Sequence, residues 1–313
     1  MKDLIILGNG MAGMTAALYA KRANLDFKIV SRDEYAFGQI GSAVLVENYP
    51  CINKTTGYDL AERLHDQLEE NKIDIEEKEI EAVSELEEGG FAVEYSDGTE
   101  EYAKTIIYAL GAKHRELPCS IEKDIPIHYC ALCDGYLYKN ETVAVIGGGD
   151  AAFTQAEYLS NICENVMIIM CDENITASPL ITERVKNISN IDIYFNTPID
   201  NICKDRDGKI NICSTYIEKQ SFGEDIVKRH FFVFENLGIF VAIGMTPNTE
   251  PINIGGIKDN NGYVIANESC ASSVPGFFAA GDCRTKAVRQ AITAAADGAN
   301  AVDSVIKYLR ENR

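Results

Sequence analysis

Leu4-Ile5-Ile6-Leu7-Gly8-Asn9-Gly10-Met11-Ala12-Gly13 opens the chain with an apolar run, a glycine cluster and the start of a helix-like stretch. The unbroken apolar run predicts a strand buried on both faces. Gly8 permits the tight turn, Gly10 lets the backbone approach a pyrophosphate, and Gly13 lets the helix pack closely on the strand. The helix N-terminus then faces the anion. An ordinary strand–helix turn is the bland alternative, and the position directly after an N-terminal strand weighs against it. The same order recurs in Val143-Ala144-Val145-Ile146-Gly147-Gly148-Gly149-Asp150-Ala151-Ala152. Helices are expected from Met11 to Arg22 and from Ala151 to Ile162. Each is followed by a second apolar run, Phe27–Val30 and Val166–Met170.

Two β-α-β openings in one chain of 313 residues call for two domains. Residues 73–110 alternate as strands, with Gly89-Gly90 and Asp97-Gly98 as hairpin turns, and Asp207-Gly208 turns a similar stretch after the second opening. An Ala-rich helix is expected from Val288 to Arg313. The fold class is α/β: two Rossmann-like, three-layer dinucleotide-binding domains, the second inserted into the first. The outer domain comprises 1–114 and 245–313, and the inserted domain 115–244.

The net charge of −19 argues against nucleic acid and anionic membrane as general partners. No apolar run reaches the roughly 18 residues that a membrane span needs. No charged segment with a cleavage site precedes the first strand, so the cytoplasm is the expected compartment. Ten cysteines should stay reduced there unless they are catalytic or bind metal.

Cys130-Ala131-Leu132-Cys133, followed by Asp134, is the redox candidate. Thiols at this spacing form a reversible disulfide, and the adjoining carboxylate can hold a proton. Half of a zinc site is the competing reading. It needs two further ligands, and no second Cys-x-x-Cys exists; no metal is expected. Gly276-Phe277-Phe278-Ala279-Ala280-Gly281-Asp282 sets a carboxylate at a strand terminus, where it can bond a polyol or cap a helix. Arg289-Gln290-Ala291 follows.

Together these segments resemble the low-molecular-weight, bacterial-type thioredoxin reductase family over nearly the whole chain. Gly38-Gln39 and Glu47-Asn48-Tyr49-Pro50 resemble its flavin-contacting segment, and Leu110-Gly111-Ala112 the strand end before the inserted domain. Gly244-x-x-Pro247-Asn248 and Gly281-Asp282 complete the set, and the redox box departs from the usual one only at Leu132. The resemblance implies FAD as cofactor, in the outer domain, and thioredoxin as substrate. Gly8, Gly10 and Gly13 would hold its pyrophosphate. Gly38, Gln39, Asn48, Gly111 and Asp282 would lie along the flavin or its ribityl chain, with Arg289, Gln290 and Ala291 at the isoalloxazine edge. Cys133 would be the thiol nearer the flavin, Cys130 the one that attacks the substrate disulfide, and Asp134 the acid–base group. A homodimer is the expected assembly.

One departure concerns the electron donor. Typical members carry His-Arg-Arg and a further Arg after the second strand of the inserted domain, and these grip NADPH. The matching positions here are Met170, Cys171, Asp172 and Thr176, and no Lys, Arg or His occurs between Lys139 and Arg184. In this the chain resembles the ferredoxin-dependent flavin thioredoxin reductases, so reduced ferredoxin is the expected donor. The gap from a plant-type ferredoxin to thioredoxin, roughly 130 mV, releases about 6 kcal/mol for two electrons. NADH is the alternative, with Asp172 near a ribose 2′-OH, and NADPH in an atypical site is a further one. The acidic chain needs a local basic patch to meet an acidic ferredoxin. Lys113-His114-Arg115 and Arg284, Lys286 and Arg289 are the candidates, against the reading of scattered solvated charges. A dithiol oxidase or a flavin redox sensor is the reading from another class.

Overall fold

The computed structural model describes residues 1–43, 46, 48–218 and 226–312. The chain forms two compact units, Met1–Lys113 with Thr246–Arg313, and His114–Met245.

The first unit begins with β1 (Lys2–Leu7), α1 (Met11–Arg22) and β2 (Phe27–Ser31). α2 (Gly57–Glu70) follows, its N-terminus capped by Thr56 Oγ1, which accepts from Asp59 N at 3.0 Å. Then come β3 (Ile75–Glu77), β4 (Ile80–Glu85), β5 (Phe91–Tyr95) and β6 (Glu100–Tyr108). The turns between β4, β5 and β6 hold Gly89-Gly90 and Asp97-Gly98, as expected. The sheet order is β3-β2-β1-β6-β5-β4, parallel from β3 to β6 and antiparallel beyond.

β1 shows why the unit has three layers. Side chains of a strand alternate between faces. Leu4 and Ile6 join the cluster built with α1, while Ile5 and Leu7 join Val83 and Val93 of the antiparallel strands. All four are fully buried.

β7 (Ala112–His114) crosses the first boundary between units. The second unit contains β8 (Ser120–Ile121), β9 (Ile127–His128), α3 (Ala131–Asp134), β10 (Thr142–Ile146), α4 (Asp150–Ser160), β11 (Asn165–Ile169) and α5 (Pro179–Lys186). It continues through β12 (Ile191–Tyr194), β13 (Ile199–Lys204), β14 (Ile210–Glu218), β15 (Ile226–Phe234) and β16 (Leu237–Val241). A parallel sheet, β12-β11-β10-β16-β9, carries the second glycine turn, and β15-β14-β13-β8 forms another sheet. β10 repeats the logic of β1: Val143 and Val145 pack with α4, and Ala144 and Ile146 with Ile202 and Ile212 of the second sheet.

β17 (Met245–Pro247) crosses the second boundary, and β18 (Phe277–Ala279) returns to the first unit. There it pairs with Ile106–Tyr108 of β6, beside the stretch of β6 that pairs with β5. The last helix, α6, runs Ala291–Glu311 and starts three residues later than the composition suggests. Gln290 is extended at φ −143°, ψ 158°, and its backbone N–H donates to Thr293 Oγ1 at 3.2 Å, so Val288 and Arg289 remain in the preceding loop.

α6 lies against α1 through small residues. A Cβ on Gly298 would sit 2.3 Å from the Ala12 carbonyl oxygen, which is backbone and cannot swing aside. Gly298→Ala should therefore force the helices apart and cost about 1–3 kcal/mol. A lowered denaturant midpoint with an unchanged slope checks this.

Candidate functional site

In the first unit the β1–α1 turn forms a backbone slot. Gly10 is the N-cap of α1, and the space where its Cβ would stand is open except for Phe37 O at 3.8 Å. A Cβ on Gly13 would lie 1.8 Å from the Gly8 carbonyl oxygen, so helix and strand can meet only with glycine there. Gly38 begins a 3-10 turn, Gly38–Ser42, and the place of its Cβ is 3.6 Å from Gly10 Cα. Asn9 ties the slot to the end of β2, donating to Asp33 O at 2.8 Å and Glu34 O at 2.7 Å.

Several expected cofactor residues converge here although they are far apart in sequence. Asn48 Nδ2 donates to Gln290 Oε1 at 3.1 Å. The Gln39 side-chain amide donates to Ala112 O. Asn248 fixes the Gly111 turn, donating from its backbone N–H to Gly111 O and from Nδ2 to Leu110 O, each at 2.9 Å. Glu47 lies outside the described residues. Gly281 abuts the first turn of α1, the place of its Cβ being 3.1 Å from Ala12 Cβ.

Asp282, next to Gly281, has a buried Oδ1 with no hydrogen-bond partner, and burial holds its carboxyl above the usual range. The Arg289 guanidinium lies over the Tyr263 ring at 4.4 Å, with a buried, unpartnered Nε. An open amide-lined slot at a helix N-terminus, an orphaned acceptor and an orphaned donor suit a diphosphate that carries a polyol.

The cations proposed as a patch behave otherwise. Arg284 is buried, the Lys286 side chain is largely covered, and one carboxylate pairs with both: Asp297 Oδ1 lies 3.0 Å from Arg284 Nη1 and Oδ2 2.8 Å from Lys286 Nζ. Oδ2 also accepts from Gly281 N at 2.9 Å. These two side chains therefore brace the Gly281-Asp282 turn and offer no exposed charge. Their partner lies thirteen and eleven residues further along the chain, which leaves no local mark in the sequence.

In the second unit Cys130 and Cys133 form a disulfide with their Cα atoms 5.3 Å apart. Cys130 is the N-cap of α3, and its carbonyl accepts from Cys133 N and Asp134 N at 3.2 and 3.0 Å. Gln155 of α4 grips both flanks of Cys130, accepting from Ala131 N at 3.0 Å and donating to Tyr129 O at 3.4 Å. Leu132, Tyr136 and Leu137 beside the disulfide are exposed. Asp134 is buried. Its Oδ2 lies 3.0 Å from His128 Nδ1, and its Oδ1 has no partner. His128 Nε2 lies 2.8 Å from the Tyr138 hydroxyl. Sequence reasoning missed His128 and Tyr138; their nearness to the redox box was the only signal available. The other eight cysteines are free. Burial pushes the thiols of Cys270 and Cys283 up to about 12 and that of Cys163 up to about 11, which keeps them protonated and inert.

The second glycine turn keeps the backbone of the first. Gly147 stands at φ +144°, where a Cβ would lie 2.5 Å from Ala242 O, and the outer face of Gly149 meets only Thr176 Oγ1 at 3.5 Å. Thr176 and Ala177 donate their backbone N–H groups to Gly148 O at 2.9 and 3.1 Å, and Ser178 N donates to Asp150 Oδ1 at 2.6 Å. Asp172 is exposed and lies three residues past the end of β11.

Two dinucleotide-binding folds, one bearing a Cys-x-x-Cys disulfide, define a flavin-linked disulfide oxidoreductase. Residues 2–298 match the family described as pyridine nucleotide-disulphide oxidoreductase. The chain is 32% identical over 313 residues to the thioredoxin reductase of Listeria monocytogenes, covering 99% of this chain and 94% of that one. The crystal structure of thioredoxin reductase from Streptococcus pyogenes is similar with a TM-score of 0.83 and 32% identity, covering 99% of each chain. A ferredoxin-flavin thioredoxin reductase from Clostridium acetobutylicum shares the fold with a TM-score of 0.52 and 20% identity, covering 99% of this chain and 98% of that one. The chain belongs to the thioredoxin reductase family, and it is an FAD flavoprotein.

Asp297→Ala should leave Arg284 and Lys286 charged without the carboxylate that pairs with both. The expected loss is about 3–5 kcal/mol, read as a lowered denaturant midpoint of the FAD-loaded protein.

Proposed function

We propose that this thioredoxin reductase takes its electrons from a nicotinamide nucleotide held at the Gly147–Ala152 turn, and that it prefers NADH to NADPH. The observation that carries the reading is the second turn itself: a helix N-terminus, a Gly149 whose outer face meets only Thr176 Oγ1, and a Gly147 set so close to the Ala242 carbonyl that no side chain fits. That geometry suits a pyrophosphate. The pyridine nucleotide of the matched family's description points the same way. The preference for NADH follows from charge. A 2′-phosphate would meet Asp172 and Glu173 and no cation between Lys139 and Arg184, so Coulomb repulsion is added to missing attraction.

Ferredoxin as donor is the second reading, and the same cation-free loop favours it. Against it stands the pairing of Arg284 and Lys286 with Asp297, which removes two of the candidate cations and leaves Lys113 and Arg115 exposed. The likeness to the Clostridium acetobutylicum protein extends to the fold alone.

We assign the cofactor and redox roles as follows. The Gly8–Gly13 slot and Gly38 hold the FAD diphosphate. Asp282 takes a ribityl hydroxyl, and Gln39, Asn48, Gly111 and Arg289-Gln290-Ala291 border the flavin. Bound FAD supplies the two-electron relay from donor to disulfide. Leu132, Tyr136 and Leu137 give thioredoxin an apolar face beside the dithiol. From the dithiol, Cys130 loses its proton to Asp134 and attacks a sulfur of the thioredoxin disulfide. The mixed disulfide forms, and the departing thiolate takes the proton from Asp134. Cys133 then attacks the Cys130 sulfur, its own proton passing to the second thioredoxin sulfur. The protein ends with Cys130 and Cys133 joined, and thioredoxin holds two thiols. We propose that the enzyme acts as a cytoplasmic homodimer.

Anaerobic flavin absorbance tests the donor. NADH is expected to bleach the flavin promptly, NADPH slowly, and reduced ferredoxin not at all. Bleaching by ferredoxin alone would replace this reading with the second.

A further inference from the structure

Asp134 is held by one oxygen only, and the group that holds it has its own support. The Tyr138 phenol is buried, and that burial, followed by the nearby Asp134 charge, pushes its ionisation upward, so it stays a hydroxyl. Its O–H can donate to His128 Nε2, 2.8 Å away, and the Asp134 carboxylate, which only accepts, calls for the proton on Nδ1. A neutral imidazole that accepts at Nε2 carries its proton on Nδ1. Nδ1–H then donates to Asp134 Oδ2 at 3.0 Å. The Phe240 ring of β16 packs 5.1 Å from the His128 ring and 5.9 Å from that of Tyr138, which restrains both. Among the described residues the titratable groups that contact His128 are Asp134 and Tyr138, and from β16 the Phe240 ring faces it.

The arrangement leaves one acceptor unused. Asp134 Oδ1 is buried and has no partner. Such an atom costs stability unless it has work to do. It belongs to the residue directly after Cys133, whose backbone N–H is bonded to the Cys130 carbonyl.

We propose that His128 is a positioning residue for the dithiol: Nδ1-protonated through Tyr138, it occupies Asp134 Oδ2 so that Oδ1 is the oxygen that holds the thiol proton. The inference rests on Cys130 and Cys133 being the redox pair. The proton path balances. Thiol and carboxylate become thiolate and carboxylic acid, and the acid returns the proton to the thiolate leaving thioredoxin. His128 and Tyr138 keep their protons throughout. A hydrogen bond donated to a carboxylate favours its charged form, so the pH profile of the reaction is a readout of the contact.

The test uses FAD-loaded, full-length enzyme reduced beforehand with dithionite, which removes the identity of the donor from the result. Its reoxidation by thioredoxin disulfide is followed against pH. His128→Ala should slow the reaction roughly ten- to a hundredfold and move the acid limb of the rate to higher pH. His128→Asn, whose amide can still donate to Oδ2, should recover most of the rate. Tyr138→Phe, which keeps the ring against Phe240 but frees the tautomer, should shift the same limb. In an Asp134→Asn background His128→Ala should add nothing further. A purely structural histidine would lower stability and leave the acid limb in place, and that result would overturn the proposal. So would an undiminished effect of His128→Ala in the Asp134→Asn background. A wild-type enzyme that leaves thioredoxin oxidised would remove the redox-pair assignment instead, and the wild-type trace alone distinguishes that failure.

Discussion

The approach of helix α1 to the Gly8 carbonyl is the constraint on which the first unit depends. With 1.8 Å between that oxygen and a would-be Cβ on Gly13, the helix N-terminus can stand over the strand end only if residue 13 has no side chain. That contact aims the free N–H groups of the first turn at one point and leaves Gly10 open beside it. In the second unit Ala152 stands where Gly13 does, and the close approach is instead that of Gly147 to the Ala242 carbonyl just past β16. Backbone alone makes both turns fit for a diphosphate, so the two units differ in purpose only through the side chains placed around them. Around the first turn stand Asp282 and Arg289, each with a buried atom lacking a partner. The loop that bonds to the second through Thr176 and Ala177 carries Asp172 and Glu173 and no cation. Such a contrast fits a tightly kept flavin in one unit and a more selective, transient partner in the other.

Thiol chemistry is confined by the same economy of placement. Burial raises the ionisation of Cys163, Cys270 and Cys283 until they are chemically silent. Cys130 and Cys133 are half-buried, start a short helix, and are held on both flanks by Gln155. Asp134 stands next to them with its free oxygen and its histidine.

Much of this was legible in the sequence, because the signals are local. β1, α1, the glycine turns, the hairpins at Gly89-Gly90 and Asp97-Gly98, and the redox box each declare themselves within about a dozen residues. What was hidden depends on distant pairing. Arg284 and Lys286 read as surface cations until Asp297 is seen between them. The pairing of Asn48 with Gln290 and of His128 with Asp134 exists only once the sheets have formed. The start of α6 was misjudged for a related reason: Val288 and Arg289 suit a helix by composition, but Arg289 is committed to the Tyr263 ring. Electron-donor choice was the least legible feature, since it turns on which charges are absent from one loop.

Electrons are proposed to leave this protein through Cys130 into a thioredoxin disulfide. Mass spectrometry of a Cys133→Ser variant, reduced and then mixed with oxidised thioredoxin, tests it most directly. With no second thiol to resolve it, a mixed disulfide should accumulate, and peptide mapping should place the link at Cys130. Absence of an adduct, or a link to any other cysteine, would contradict the account.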